Sequence, residues 1–356
     1  MDLSVAALEA VLATVVDPDR QKPLTTLGWI RDLAITGTHV TLTLAFPSGE
    51  PLQREFLDRE VQRILLAVKD VATVKLTWRE LSTFKNIIVV MSGKGGVGKS
   101  TVATNLTLAL HRAGHRVGLL DADIYGPSIP TMLGVMGRPV SLDGVQIEPL
   151  ERFGVKLMSI GFLLEDPRSA VIWRGPMLAG ALQQFLKDVH WGTLDYLVLD
   201  LPPGTGDVAL TLSQQVKVTG AVIVTTPQPV ATDDVFKSVA MCQKVNIPVL
   251  GVVENMSFFV DSAGVRHELF GSGGGAAVAS FANAPLLGQV PMEQSIRECG
   301  DKGTPIVQAA PSSAAAQVFA AIAERLVEQI TGVEPAAAPV IDRSGGTGKR
   351  RLPLVS

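Results

Sequence analysis

Ile87-Ile88-Val89-Val90-Met91-Ser92 runs straight into Gly93-Lys94-Gly95-Gly96-Val97-Gly98-Lys99-Ser100-Thr101, and the helical stretch VATNLTLALHRAG follows. An apolar strand, a glycine loop ending in Lys-Ser and a helix form the phosphate-loop pattern G-x-x-x-x-G-K-[ST]. Its glycines let successive backbone N–H groups turn inward around phosphate oxygens. Lys99 supplies a compact charge to the β and γ phosphates, and Ser100 a hydroxyl to Mg²⁺. The helix start at Lys99 adds the positive end of its dipole. Gly93, Gly95 and Gly98 also satisfy G-x-G-x-x-G, so a dinucleotide fold has to be weighed. The Lys-Ser pair decides against it, because a Rossmann turn has no use for a lysine there.

Outward from this loop the chain repeats a strand–loop–helix rhythm. IIVVMS, RVGLLDA, YLVLDLP, GAVIVTT and VLGVVEN are short apolar runs without polar alternation. Strands buried on both faces read this way, so the expected fold is α/β, a parallel sheet flanked by helices. Ligands of such sheets sit at the carboxyl ends of the strands. Two more loops point there: one carries Asp121 and Asp123, the other Asp200 and Asp207. Asp200, after four apolar residues, suits the Mg²⁺ shell together with Ser100 and Asp123, and Asp123 is placed to orient an attacking water. Asp207 reads equally as the cap of the helix VALTLSQQV.

The first eighty residues have a different pattern. VAALEAVLATVVD has helical spacing, LGWIRDLAITG and HVTLTLAFP alternate like strands around Gly37-Thr38, LQREFLDREVQRILLAVKD is amphipathic and VATVKLTW is a third strand. A small α/β domain over 1–80 is expected, then a linker from Leu81 to Lys85 within a nucleotide-binding domain over 81–335. Residues 336–356, rich in Ala, Pro and Gly, read as a disordered tail. Their GGTGKR has neither strand before it nor helix after it and is set aside as a phosphate loop.

Of 356 residues, 47% are hydrophobic and 18% charged, enough apolar material for a large core. A net charge of −3 calls for neither nucleic acid nor an anionic membrane as partner. The chain opens without a basic region followed by an apolar core, and no apolar run approaches the ~18 residues of a membrane span. A cytoplasmic protein is expected. Two cysteines, Cys242 and Cys299, make no disulfide framework. Cys242 shares a helical face with Val235 and Val239 and reads as core; Cys299 falls at a helix end.

Lys94, inside the loop, is not demanded by the phosphate-loop pattern. With it the stretch resembles the deviant Walker A class, K-G-G-x-G-K-[ST]. That resemblance implies a homodimer sandwiching ATP, with Lys94 reaching the partner's nucleotide as an arginine finger does elsewhere. DADIYGPSIP, DLPPGTGD, ENMS followed by FGSGGG, and PMEQSIRECGDKGTPIV together resemble the Mrp/ApbC family of iron–sulfur cluster carrier ATPases. The N-terminal piece resembles the small domain often fused ahead of it. The family implies slow ATP hydrolysis, Mg²⁺, delivery of clusters to apoproteins, and contacts to the base from Asn255 and the segment around Pro291. The implied ATP-binding set is therefore Gly93, Lys94, Gly95, Gly96, Val97, Gly98, Lys99, Ser100, Thr101, Asn255 and Pro291, with Lys94, Lys99 and Asp123 catalytic.

The same family implies a C-x-x-C shortly after ENMS, whose thiolates hold a bridging [4Fe–4S] cluster across a dimer. Here the stretch is Phe258-Phe259-Val260-Asp261-Ser262-Ala263-Gly264, without a cysteine. The small domain's usual cysteine before a proline is also absent, the loop reading Phe46-Pro47-Ser48-Gly49-Glu50-Pro51. No iron–sulfur ligand is assigned. An ATP-driven dimeric scaffold or regulator related to MinD and ParA, without a cluster, is the alternative.

Overall fold

The computed structural model describes residues 3–47, 52–141, 146–163, 175–204 and 206–332. The loop residues Ser48 to Pro51, the side chain of Asp207 and the tail 336–356 lie outside them. The chain divides into two compact units, Met1–Thr83 and Phe84–Ser356.

In the first unit α1 (Val5–Leu12) is capped by Ser4, whose hydroxyl accepts from the Ala7 N–H at 3.2 Å. The helical spacing of VAALEAVLATVVD predicts a longer helix than this. Val16–Asp17 (β1) instead pairs with Lys22–Pro23 (β2) in a short antiparallel ribbon. The buried Asp17 carboxylate closes that turn, accepting from the backbone N–H groups of Asp19 and Arg20 and from the Arg20 guanidinium. Such local capping competes directly with helix continuation. Then come β3 (Ile30–Thr36), β4 (His39–Pro47), α2 (Arg54–Leu66) and β5 (Thr73–Leu81). β4 is antiparallel to β3 and parallel to β5, and α2 buries Leu57, Val61 and Leu65 against them. The residues expected as linker are extended strand: β5 runs to Leu81 and β6 (Thr83–Ser92) starts two residues on.

β6 leads into α3 (Lys99–Arg112), β7 (Val117–Asp121), α4 (Ile129–Leu133), β8 (Leu150–Arg152), β9 (Val155–Ser159), α5 (Gly175–Lys187) and β10 (Thr193–Asp200). There follow α6 (Gly206–Gln215), β11 (Gly220–Thr225), α7 (Pro229–Lys244), β12 (Val249–Glu254) and the hairpin β13 (Phe259–Val260) and β14 (Arg266–His267). The unit closes with α8 (Gly274–Ala282), β15 (Leu286–Gln289), α9 (Gln294–Asp301), α10 (Ile306–Ala309) and α11 (Ala314–Gly332). Eight strands make one sheet in the order β15-β12-β11-β6-β10-β7-β9-β8. Parallel pairings join β15, β12, β11 and β6, and likewise β10, β7 and β9; β8 is antiparallel to β9.

The alternation along β6 shows why its run is apolar throughout. Ile87, Val89 and Met91 enter the core under α5, α6 and α7, with Phe185 and Trp191. Ile88 and Val90 enter the opposite core with Val102, Leu106, Phe319 and Leu326 from α3 and α11. Cys242 and its helical neighbours Val235 and Val239 are fully buried on the first of these faces. Among the described residues no helix is long and apolar enough to cross a membrane.

α11 packs on α3 and β15 through Phe319, Ile322 and Leu326. Phe319 is fully buried. Phe319→Ala is expected to cost about 3–5 kcal/mol, as burial loss plus cavity, read as a lowered urea midpoint at unchanged m-value.

Candidate functional site

The parallel register brings the ends of β6, β7, β10 and β12 to one edge of the sheet, where a cavity of about 1240 Å³ opens. Lys94 to Gly96 and Gly98 to Thr101 line it, with Asp123, Asn255 and Pro291. Gly93, Val97 and Asp200 are not among the residues that line it. Gly98 caps α3 at φ 80°, the left-handed region. A Cβ there would also lie 2.1 Å from Asn255 Nδ2, so no side chain fits. That Nδ2 instead donates to the Val97 carbonyl at 2.8 Å, tying β12 to the phosphate loop.

Lys99 is 6% exposed and points at a carboxylate at the end of β10 and another in the loop after β7. Its Nζ donates to Asp200 Oδ1 at 2.6 Å and lies 3.3 Å from Asp123 Oδ2. Ser100 Oγ donates to the other oxygen of Asp200 at 2.5 Å. These are the contacts a Mg²⁺–phosphate group needs: an ammonium, a hydroxyl and a carboxylate held on adjoining atoms. The oxygen donor set fits Mg²⁺, a hard cation that takes one or two carboxylates beside phosphate oxygens. Among the described residues Lys94 has no ion-pair partner, and its carbonyl accepts from Ser92 Oγ at 3.0 Å.

Asp121 stands opposite Asp200 in the β7–β10 register and is fully buried. It accepts from the Asp123 N–H at 3.1 Å and from Ser159 Oγ at 3.0 Å, which orients the Asp123 loop. Burial, and then the charge of Asp200, push its carboxyl up to about 8. Burial also raises Asp200, against the opposing pull of Lys99 and Ser100. Asp121 was legible as a strand-end carboxylate, whereas its raised pKa follows from burial beside a second acid. The wall formed by Thr131, Met132, Met292 and Arg297, from α4 and from the segment reaching into α9, carries no sequence signal beyond the PMEQSIRECGDKGTPIV stretch.

The two thiols are far from equivalent. Cys242 Sγ packs 3.6 Å from Met91 Sδ, and burial pushes it up to about 11. Cys299 is half-buried on α9, packed against the second core. In the β13–β14 hairpin Asp261 closes the turn, accepting at 2.9 Å from both the Ala263 and Val265 N–H groups. His267 Nε2 lies 2.7 Å from its other oxygen and holds the Asp261 carboxyl below the usual carboxylate range. No cluster of three or more His, Cys, Asp or Glu able to hold a metal occurs among the described residues.

Asp121 generates a pH dependence whose sign is set by its raised pKa. An acid held at about 8 in the fold, against about 4 when unfolded, favours folding fully at acid pH. That contribution is lost as pH climbs from the lower value to the higher. Nucleotide-free protein is therefore expected to become less resistant to urea from roughly pH 5 to 8, with Asp121→Asn flattening the slope.

A family model for the NUBPL iron-transfer P-loop NTPase matches residues 83–327, and one for an iron-sulfur cluster assembly protein matches residues 6–76. The iron-sulfur cluster carrier protein of Synechocystis sp. is 46% identical over 348 residues, covering 92% of this chain and 98% of that one. The carrier protein of Escherichia coli K12 is 44% identical over 344 residues, covering 91% and 92%. Among solved structures, the nucleotide-binding protein of Archaeoglobus fulgidus in complex with ADP superposes with a TM-score of 0.54 at 41% identity, covering 62% of this chain and 87% of that one. The Pyrococcus furiosus cell division ATPase MinD shares the fold, at a TM-score of 0.52 and 24% identity over 68% of this chain and 99% of its own. With its phosphate loop, its strand-end aspartates and a match that runs nearly end to end, the chain belongs to the NUBPL-type iron-transfer P-loop NTPases that carry an iron–sulfur assembly domain ahead of the nucleotide fold.

Proposed function

We propose that the protein is an ATP-binding and ATP-hydrolysing homodimer that delivers iron–sulfur clusters to apoproteins. The observation that carries the nucleotide half is the buried Lys99–Asp200–Ser100 arrangement at the mouth of the phosphate loop. Backbone N–H groups from Gly93 to Thr101 cradle the phosphates. Lys99 exchanges its carboxylate partners for phosphate oxygens. Ser100, Asp200 and Asp123 hold Mg²⁺ directly or through water, and the ion, when bound, neutralises charge on the β and γ oxygens. Asp123 orients the attacking water, and Asn255 and Pro291 flank the base. Lys94, without an ion pair among the described residues and beside the exposed Gly95 and Gly96, serves the nucleotide of a second copy.

Support for the cargo half comes from the family and the names of the relatives. The thiol inventory favours a second reading, an ATP-driven dimeric scaffold or regulator without a cluster. Cys242 is sealed in the core, and the hairpin holds its shape through Asp261 and His267.

Lys99→Ala is expected to abolish ATP binding in equilibrium titrations. Lys94→Ala should bind ATP within a few-fold of wild type while hydrolysis falls by about 10³ or more, the scale of a finger residue; normal turnover would refute the trans role. Anaerobic reconstitution with iron and sulfide separates the two cargo readings. Carriage predicts bound iron, labile sulfide and sulfur-to-iron charge-transfer absorption, and a colourless, iron-free protein leaves the scaffold.

A further inference from the structure

Glu254, the last residue of β12, is fully buried, and nothing in the nucleotide chemistry uses it. One carboxylate oxygen accepts from Ser257 Oγ at 2.5 Å and from Gln289 Nε2 at 2.7 Å. The other accepts from the Gly275 backbone N–H at 2.5 Å. The donors come from the turn after β12, from β15 and from the first turn of α8, whose positive end faces the carboxylate. A Cβ on Gly275 would lie 2.7 Å from Glu254 Cβ, so this approach admits only glycine.

The segment that leaves the sheet at Ser257 forms the β13–β14 hairpin and returns at Gly273, the cap of α8. Both of its ends are thus tied to one carboxylate. On the other side of the same turn, Asn255 donates through Nδ2 to the Val97 carbonyl of the phosphate loop and through its N–H to Thr225 at 2.8 Å. Between them sits Met256 at φ 53°, a left-handed conformation that disfavours a side chain. Such a residue persists where its surroundings over-determine it. Here Asn255 is held by the phosphate loop, and Ser257 is held by Glu254 and, through its N–H, by the Val290 carbonyl at 2.9 Å.

We propose that Glu254 is a positioning residue that couples the phosphate loop to the hairpin. A change at Val97 moves Asn255, the strained Met256 turn passes it to Ser257, and Glu254 carries it to both ends of the hairpin at once. The proposal rests on the nucleotide reading of the loop, and its test separates the two.

Hydrogen exchange on the full chain, with and without Mg²⁺ and a non-hydrolysable ATP analogue, reads both elements. In wild type, peptides over 93–101 and over 257–275 are expected to slow together on binding. In Glu254→Ala the first still slows, while the second exchanges roughly tenfold faster and no longer responds, its anchors having lost a buried acceptor. Glu254→Gln is expected to restore the response, since the amide oxygen accepts from Gly275 while its NH₂ donates to the Ser257 hydroxyl and to the Gln289 amide oxygen once that amide turns over. Ser257→Ala, which removes one anchor and spares the carboxylate, weakens the response and stands in if Glu254→Ala fails to fold. A wild-type response of the hairpin in Glu254→Ala or Ser257→Ala overturns the proposal, as does equal loss in the Gln and Ala variants. If nucleotide leaves 93–101 unchanged in wild type, the nucleotide reading fails. The nucleotide-free comparison then decides the staple: faster hairpin exchange in the variants supports it and unchanged exchange overturns it.

Discussion

One ammonium holds the site together. Lys99 Nζ sits 2.6 Å from Asp200 and 3.3 Å from Asp123, and Asp121 lies beside Asp200 in the sheet. Burying such a group is costly, because desolvation of each charge has to be offset by contacts of good geometry. Lys99 alone cannot neutralise three carboxyl groups, and burial with the charge of Asp200 raises the pKa of Asp121 to about 8. The same imbalance would oppose an added polyanion unless a divalent cation came with it. An anion added alone would face like charges in a low-dielectric pocket, whereas Mg²⁺ turns those carboxylates into ligands.

The sheet makes this arrangement rigid. Asp121 and Asp200 end neighbouring parallel strands in register, so their separation is set by backbone hydrogen bonds rather than by side-chain freedom. Both faces are covered by apolar cores, and the phosphate loop is fastened to β12 by Asn255 and to the β10 loop by the Gly204 N–H on Ser92 at 3.0 Å. Loops are usually the mobile part of such folds; here the phosphate loop and the loops after β7, β10 and β12 follow the buried polar residues Ser92, Asp121, Asp200 and Glu254.

Much of this was legible in the chain itself, because its signals are local. The five apolar runs are strands, their lack of alternation reflecting two buried faces, and the Gly-Lys-Ser loop with Asp123 and Asp200 converges as spacing suggested. The helical face of Cys242 predicted its burial correctly. What could not be read depends on tertiary partners. Val16 and Asp17 leave the helical pattern because the Asp17 side chain caps a turn. Glu254 looks like any acid at a strand end until Gly275 and Gln289, 21 and 35 residues on, are brought against it.

The hairpin after ENMS shows how one substitution redistributes a task. Where the family implies thiolates held by iron, this chain has Asp261, whose carboxylate ties the turn to its own backbone and to His267. That hairpin therefore reaches its shape without cargo. Cys242 cannot take over: ligation needs a thiolate, and its sulfur is in the core with its pKa raised. Of the two cysteines in the sequence, this leaves one half-buried sulfur per chain, on α9. A cluster held by four thiolates exceeds what one or two copies offer. Carriage by this sequence thus requires ligands of another kind or sulfurs from the client, which makes the recipient part of the binding site.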